Sequence, residues 1–90
     1  MDNKALLKDL KLNRYISLDL ETTGLDPYTC SITEVSAYRF IDGCPEKEFN
    51  TLIDPGQNIP KEISELTGIN NHMVLGQPKI HEVLDKLFGF

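Results

Sequence analysis

Two carboxylates, Asp19 and Glu21, close an apolar run that starts at Tyr15, and Thr22-Thr23-Gly24 follow at once. Alternate residues of a strand point to one face, so the two acids emerge together with roughly 6–7 Å between their Cα atoms. That spacing lets both reach a single divalent cation. The Thr-Thr-Gly turn is small and polar, and its glycine lets backbone come close to a ligand. An Asp-x-Glu pair alone is commonly nothing more than a solvated strand end. Here Ile16, Leu18 and Leu20, interleaved with Tyr15 and Ser17, predict a strand with at least one buried face. Charge beside a buried strand end is costly unless it is paired or bound to metal, so the pair reads as metal-binding. A structural Ca²⁺ in the acidic stretch from Asp19 to Asp26 is the competing reading, and it lacks the Asp-x-Asp-x-Asp-Gly rhythm such loops use.

The elements that would hold this pair follow from periodicity. Leu6, Leu7 and Leu10 predict a short amphipathic lead-in helix over residues 3–11, and Asn13 breaks it. The first strand is expected from Arg14 to Leu20, and Asp26-Pro27-Tyr28 carries turn chemistry. A second strand spans about Ser31 to Ile41, with Ile32, Tyr38 and Phe40 on one face and Val35 and Ala37 on the other. Asp42-Gly43 predicts a tight hairpin, leading to a third strand from Lys47 to Ile53 with Phe49, Thr51 and Ile53 on one face. Pro60 suits a first helical position, so Pro60 to Leu66 reads as a helix stopped near Gly68. Asn70 caps a further turn through Val74, ending at Gly76. From Pro78 onward, Ile80, Val83, Leu84, Leu87 and Phe88 form a helical stripe. The expected architecture is α/β: a three-stranded antiparallel meander with the last helix on one face. Its first strand is left with an open edge where a partner strand is missing.

Ninety residues allow one small domain, divided here into a lead-in segment over 1–13 and a folded part over 14–90. An apolar fraction of 40% and a charged fraction of 26% are ordinary for a globular chain. No stretch reaches the roughly 20 apolar residues of a membrane span, and no signal-peptide pattern opens the chain, so the cytoplasm is the expected location. The net charge of −5 is the wrong sign for broad phosphate neutralisation, although site-bound cations can supply positive charge locally. Lys4, Lys8, Lys11 and Arg14 read as a solvated helix face. Cys30 and Cys44 have no zinc-ligand spacing and are expected to be reduced.

The chain resembles the DnaQ-like, DEDD-type 3′–5′ exonucleases, the family of the DNA polymerase III epsilon and PolC exonuclease domains. The run Asp19-Leu-Glu-Thr-Thr-Gly-Leu-Asp-Pro27 is similar to that family's first motif. Similarity continues through Ser31-Ile-Thr-Glu-Val-Ser-Ala37, Asp42-Gly43, Phe49-Asn-Thr-Leu-Ile-Asp-Pro55, Ile59-Pro60 and Leu66-Thr-Gly-Ile-Asn70. The resemblance implies an RNase H-like fold in which four carboxylates hold two Mg²⁺ or Mn²⁺ ions, Asp19 and Glu21 being the first two. It also implies that Thr22, Thr23 and Gly24, with Gly68 and Ile69, lie near the 3′-terminal nucleotide of a single strand, DNA ahead of RNA. The family's remaining Asp residues and its histidine base belong to motifs that come after the last helix. His72 and His81 match none of them and read as surface residues, while Glu34 reads as satisfying a local polar contact. The resemblance thus implies the first part of an exonuclease domain, a phosphodiester hydrolase missing part of its site and inactive alone. The alternative is a non-catalytic module that self-associates, or binds a partner, through the open sheet edge.

Overall fold

The protein is described by a computed structural model, which describes Asp9 and residues 13–90. Apart from Asp9, the lead-in helix expected over residues 3–11 lies outside the described residues. Strands β1 (Arg14–Thr22), β2 (Ile32–Ile41) and β3 (Cys44–Leu52) precede helices α1 (Lys61–Thr67), α2 (Asn71–Val74) and α3 (Ile80–Phe88). The strands form one antiparallel sheet in the order β1-β2-β3, the expected meander with β1 at an edge.

Local chemistry explains most boundaries. Asp42 (φ 52°) and Gly43 (φ 79°) make the two-residue hairpin that pairs Ile41 with Cys44. Positive φ at both positions is what a turn matching the strand twist requires. β3 starts earlier than the expected Lys47, because the hairpin draws Cys44 and Pro45 into the ladder. A bulge between Arg39 and Phe40 absorbs the extra residue, and Pro45, which has no N–H to donate, sits on an edge strand where that is tolerated. Asp26 Oδ1 accepts from Tyr28 N at 2.9 Å, forming the turn after the acid pair. Pro60 caps α1 just before its first turn, and Gly68 ends the helix in the left-handed conformation at φ 77°. The Asn70 side chain accepts from Met73 N at 3.0 Å, capping α2 as its sequence predicts.

Two apolar clusters hold these elements together. Val35, Ile53 and Val83 form one, with Ile32, Phe49, Ile80 and Leu87 packed against it, so α3 lies on the sheet face that carries Val35 and Phe49. Ile59, Ile69 and Val74 form the other, with Leu52 and Ile63, and this cluster fastens α1 and α2 beyond the end of β3.

Two expectations need correction. The stripe of α3 is narrower than its sequence pattern: Val83 is buried, whereas Leu84 and Phe88 remain 37% and 82% exposed. Residues 80, 83 and 87 form the seam that meets the sheet, and 84 and 88 fall on its flank. β1 does not have the buried face that its apolar residues predict. Ile16, Leu18 and Leu20 pair opposite Arg39, Ala37 and Val35, yet stay 50%, 53% and 41% exposed. α3 covers the β2–β3 side of that face, and among the described residues β1 has a sheet neighbour on one side only.

Candidate functional site

Asp19 and Glu21 lie near the C-terminal end of β1 on the sheet face opposite Leu18 and Leu20. Their cross-strand partners are Ser36 and Glu34. Asp19 is exposed and Glu21 half-buried, so desolvation is not what marks the pair, contrary to the sequence argument. The more telling observation is electrostatic. Among the described residues, the ion pairs are Arg39–Glu46, Lys79–Asp54 and His81–Glu82, and none involves Asp19 or Glu21. Two carboxylates on one face without a described counter-ion make a donor set of hard oxygens, the type that suits Mg²⁺ or Mn²⁺.

Glu34 stands directly across from Glu21, a placement that is unfavourable for like charges. Its carboxylate accepts from Asn50 Nδ2 at 3.4 Å, the local polar contact expected of it, and Asn50 also donates to Ser36 Oγ. Among the described residues, no group of three or more His, Cys, Asp or Glu is placed to hold a metal ion. The residues present therefore fit a largely hydrated cation held by one or two carboxylates, as Mg²⁺ is commonly bound, and not an all-protein cage. His72 and His81 are both exposed, as expected.

The turn after the pair is fixed from several sides. A register shift between Glu21 and Thr22 ends the regular ladder. Thr22 Oγ1 donates to Gly24 O at 2.6 Å, tightening the turn locally. Thr23 is only 2% exposed; its N–H donates to Ser31 O at 2.8 Å, and its hydroxyl accepts from Ser31 N at 3.0 Å and donates to Gln57 Oε1 at 2.9 Å. The Thr23 side chain is thus committed to the protein, and Thr22 and Gly24 carry the turn's open surface. Gly24 sits in a tight spot: a Cβ there would lie 2.8 Å from Cys30 Sγ, so the Cys30 side chain would have to shift to admit one.

A cleft of about 230 Å³ runs beside the turn, lined by Leu20, Glu21, Thr22, Gly24 and Leu25 on one wall and Ile63, Leu66 and Thr67 of α1 on the other. Sites that engulf a whole small molecule run to roughly 300–1,000 Å³, and this cleft is smaller. Leu25 and Leu66 are 100% and 82% exposed, an apolar pair at the rim. Sequence reasoning named neither as a site residue: Leu25 falls in a turn with no periodicity, and Leu66 entered only as the end of the expected helix and the start of a family-like segment. Gly68 is exposed at the end of α1, next to the cleft residue Thr67. Ile69 is 4% exposed, and its side chain belongs to the second core cluster.

Comparison with known proteins gives this geometry a context. The sequence pattern of the Exonuclease (RNase_T) family matches residues 16–90. The chain is 44% identical over 78 residues to a DNA polymerase III PolC-type protein of Clostridium perfringens, covering 87% of this chain and 5% of that one. It is 41% identical over 76 residues to the DNA polymerase III subunit epsilon of Aquifex aeolicus, covering 84% of this chain and 38% of that one. Among solved structures, exonuclease X in complex with 5′-overhanging duplex DNA superimposes with a TM-score of 0.72 at 26% identity, over 80% of this chain and 42% of that one. The chain thus spans well under half the length of each of these proteins and carries part of their RNase H-like fold. On these grounds the chain belongs to the exonuclease (RNase_T) family, in its DnaQ-like branch.

Proposed function

We propose that these residues are the cation-binding and 3′-end-holding part of a metal-dependent 3′–5′ exonuclease of the proofreading type. The observation that carries the reading is the placement of Asp19 and Glu21. The two acids leave one face of β1 without a described counter-ion, and Glu21 itself lines the cleft between the Thr-Thr-Gly turn and α1. Asp19 and Glu21 would hold Mg²⁺ or Mn²⁺. A bound cation of this kind supplies the charge neutralisation and water activation that phosphodiester hydrolysis needs. The turn of Thr22, Thr23 and Gly24 and the end of α1 at Gly68 and Ile69 flank the terminal nucleotide. Thr22, Gly24 and Gly68 offer accessible surface, whereas Ile69 is buried behind it. Leu25 and Leu66 give the terminal base an apolar surface to rest on. The names of the two DNA polymerase III relatives favour single-stranded DNA ahead of RNA, and a cytoplasmic setting goes with that reading.

Hydrolysis by these residues alone is not part of the proposal. Two carboxylates do not hold two ions and position a base, and groups that act as a unit lose activity by orders of magnitude when part of the set is removed. The pure chain is expected to leave a 3′-labelled oligodeoxynucleotide intact in Mn²⁺, yet to bind a short oligothymidylate more tightly with Mg²⁺ than without. Asp19→Asn removes that Mg²⁺ increment. Binding indifferent to Mg²⁺ would contradict the reading, whereas digestion that Asp19→Ala abolishes would contradict only the expected inactivity of the chain alone. A second reading rests on the exposed Ile16-Leu18-Leu20 stripe beside the edge of β1, which has no partner among the described residues: the chain self-associates there, since open strand edges recruit other chains.

A further inference from the structure

The loop that follows β3 reaches back to the Thr-Thr-Gly turn through one side chain, Gln57. Its Oε1 accepts from Thr23 Oγ1 at 2.9 Å, and its Nε2 donates to Thr29 O at 3.0 Å and to Ser31 Oγ at 3.0 Å. Both amide protons and the carbonyl are engaged, and the partners admit one orientation only. The reverse orientation would set Oε1 against the Thr29 carbonyl, two acceptors facing each other.

Gln57 is exposed, so burial does not explain this set of contacts. Its backbone is anchored on the far side. Gly56, at φ 70°, donates its N–H to Asp54 Oδ1 at 2.9 Å, and Asp54 Oδ2 pairs with Lys79 Nζ at 2.8 Å at the start of α3. Asp54 N also donates to Pro78 O at 3.0 Å. The turn is therefore braced on the α3 side of the core, across 34 residues of sequence.

We infer that Gln57 is a positioning residue for the candidate site: by clamping Thr23 and residues 29–31 in one arrangement, it sets where Thr22, Gly24 and Glu21 stand along the cleft. The inference rests on the 3′-end reading above. Gln57 is not among the residues that line the cleft and acts through Thr23 and the strand start at Ser31. Gln57→Glu is the informative variant. It has the same shape and still accepts from Thr23, but an ionised carboxylate has no proton for Thr29 O or Ser31 Oγ. Gln57→Ala removes all three contacts.

The test measures Mg²⁺-dependent binding of trithymidylate to the full chain, together with backbone amide exchange. Gln57→Ala is expected to weaken binding about tenfold and Gln57→Glu about threefold, on the scale of one or two lost hydrogen bonds. Exchange at Thr23 and Ser31 quickens, while that at Val35, Ala37 and Ile53 holds. Ile53→Val, a core change away from the turn, serves as the structural control: it lowers the urea midpoint and leaves binding unchanged. If wild-type chain binds and the Gln57 variants bind equally well, or if their exchange rises uniformly across the sheet, the assignment is overturned. If wild-type chain shows no Mg²⁺-dependent binding, the 3′-end reading itself fails and the assignment falls with it.

Discussion

At the scale of single residues, Gly24 shows most directly how the site is built. Its backbone is not in the left-handed region, so the demand for glycine is steric: the Cys30 thiol occupies the space a Cβ would need. Gly24→Ala is expected to cost about 1–3 kcal/mol, the usual range for overpacking, by urea unfolding. Adding Cys30→Ala should recover most of that loss, because the two changes share one contact and do not add. Equal losses in the single and double variants would show that the strain lies elsewhere. Asp54 supplies a pH-dependent case. The Lys79 ammonium bonded to it, and then the Gly56 N–H, hold its carboxyl below the ordinary Asp range. A folded-state pKa below the unfolded value means that the contribution is present above the ordinary value of about 3.9. It is lost as pH falls through the lowered folded value. In an NMR titration Asp54 should titrate below the ordinary Asp value, and Lys79→Met should move it up toward that value; an unmoved Asp54 would remove Lys79 as the cause.

At the scale of elements, β1 is where sequence and structure part. Its apolar residues alternate as a half-buried strand should, and the register places them on the same face as Val35 and Ala37. Periodicity reports which face a residue takes, but not whether a neighbour covers it. That depends on where α3 lies, and α3 lies over β2 and β3. Strand order, the hairpin and the helix ends were legible because Asp42-Gly43, Gly68 and Asn70 have local conformational reasons for their positions. The cleft was only half legible: the acid pair and turn stand together in sequence, but the wall from α1 and the Gln57 brace come from elsewhere in the chain and leave no local signal. The exposed stripe carries its own prediction. Light scattering should show mass rising with concentration for the wild-type chain, and Leu18→Lys should hold it monomeric. Since Leu18 is 53% exposed, the change should alter stability by no more than about 0.5 kcal/mol. A wild-type chain that stays monomeric throughout would discard the self-association reading.

At the scale of the whole molecule, charge and family membership fit together through the cation. A chain of net charge −5 does not attract a phosphate backbone by itself, and Asp19 and Glu21, which have no ion-pair partner among the described residues, would repel one. A divalent ion bound between them cancels their charge and offers phosphate oxygens a cationic centre to coordinate. The claim to be tested first is therefore that Asp19 and Glu21 hold the ion together. Mn²⁺ titration of the isotopically labelled chain tests it most directly, because paramagnetic broadening reports distance from the ion residue by residue. Broadening should centre on residues 19–22 of β1 and the facing positions around Glu34, and it should vanish from them in Asp19→Asn. Broadening centred elsewhere, or unaltered by that substitution, would contradict the account.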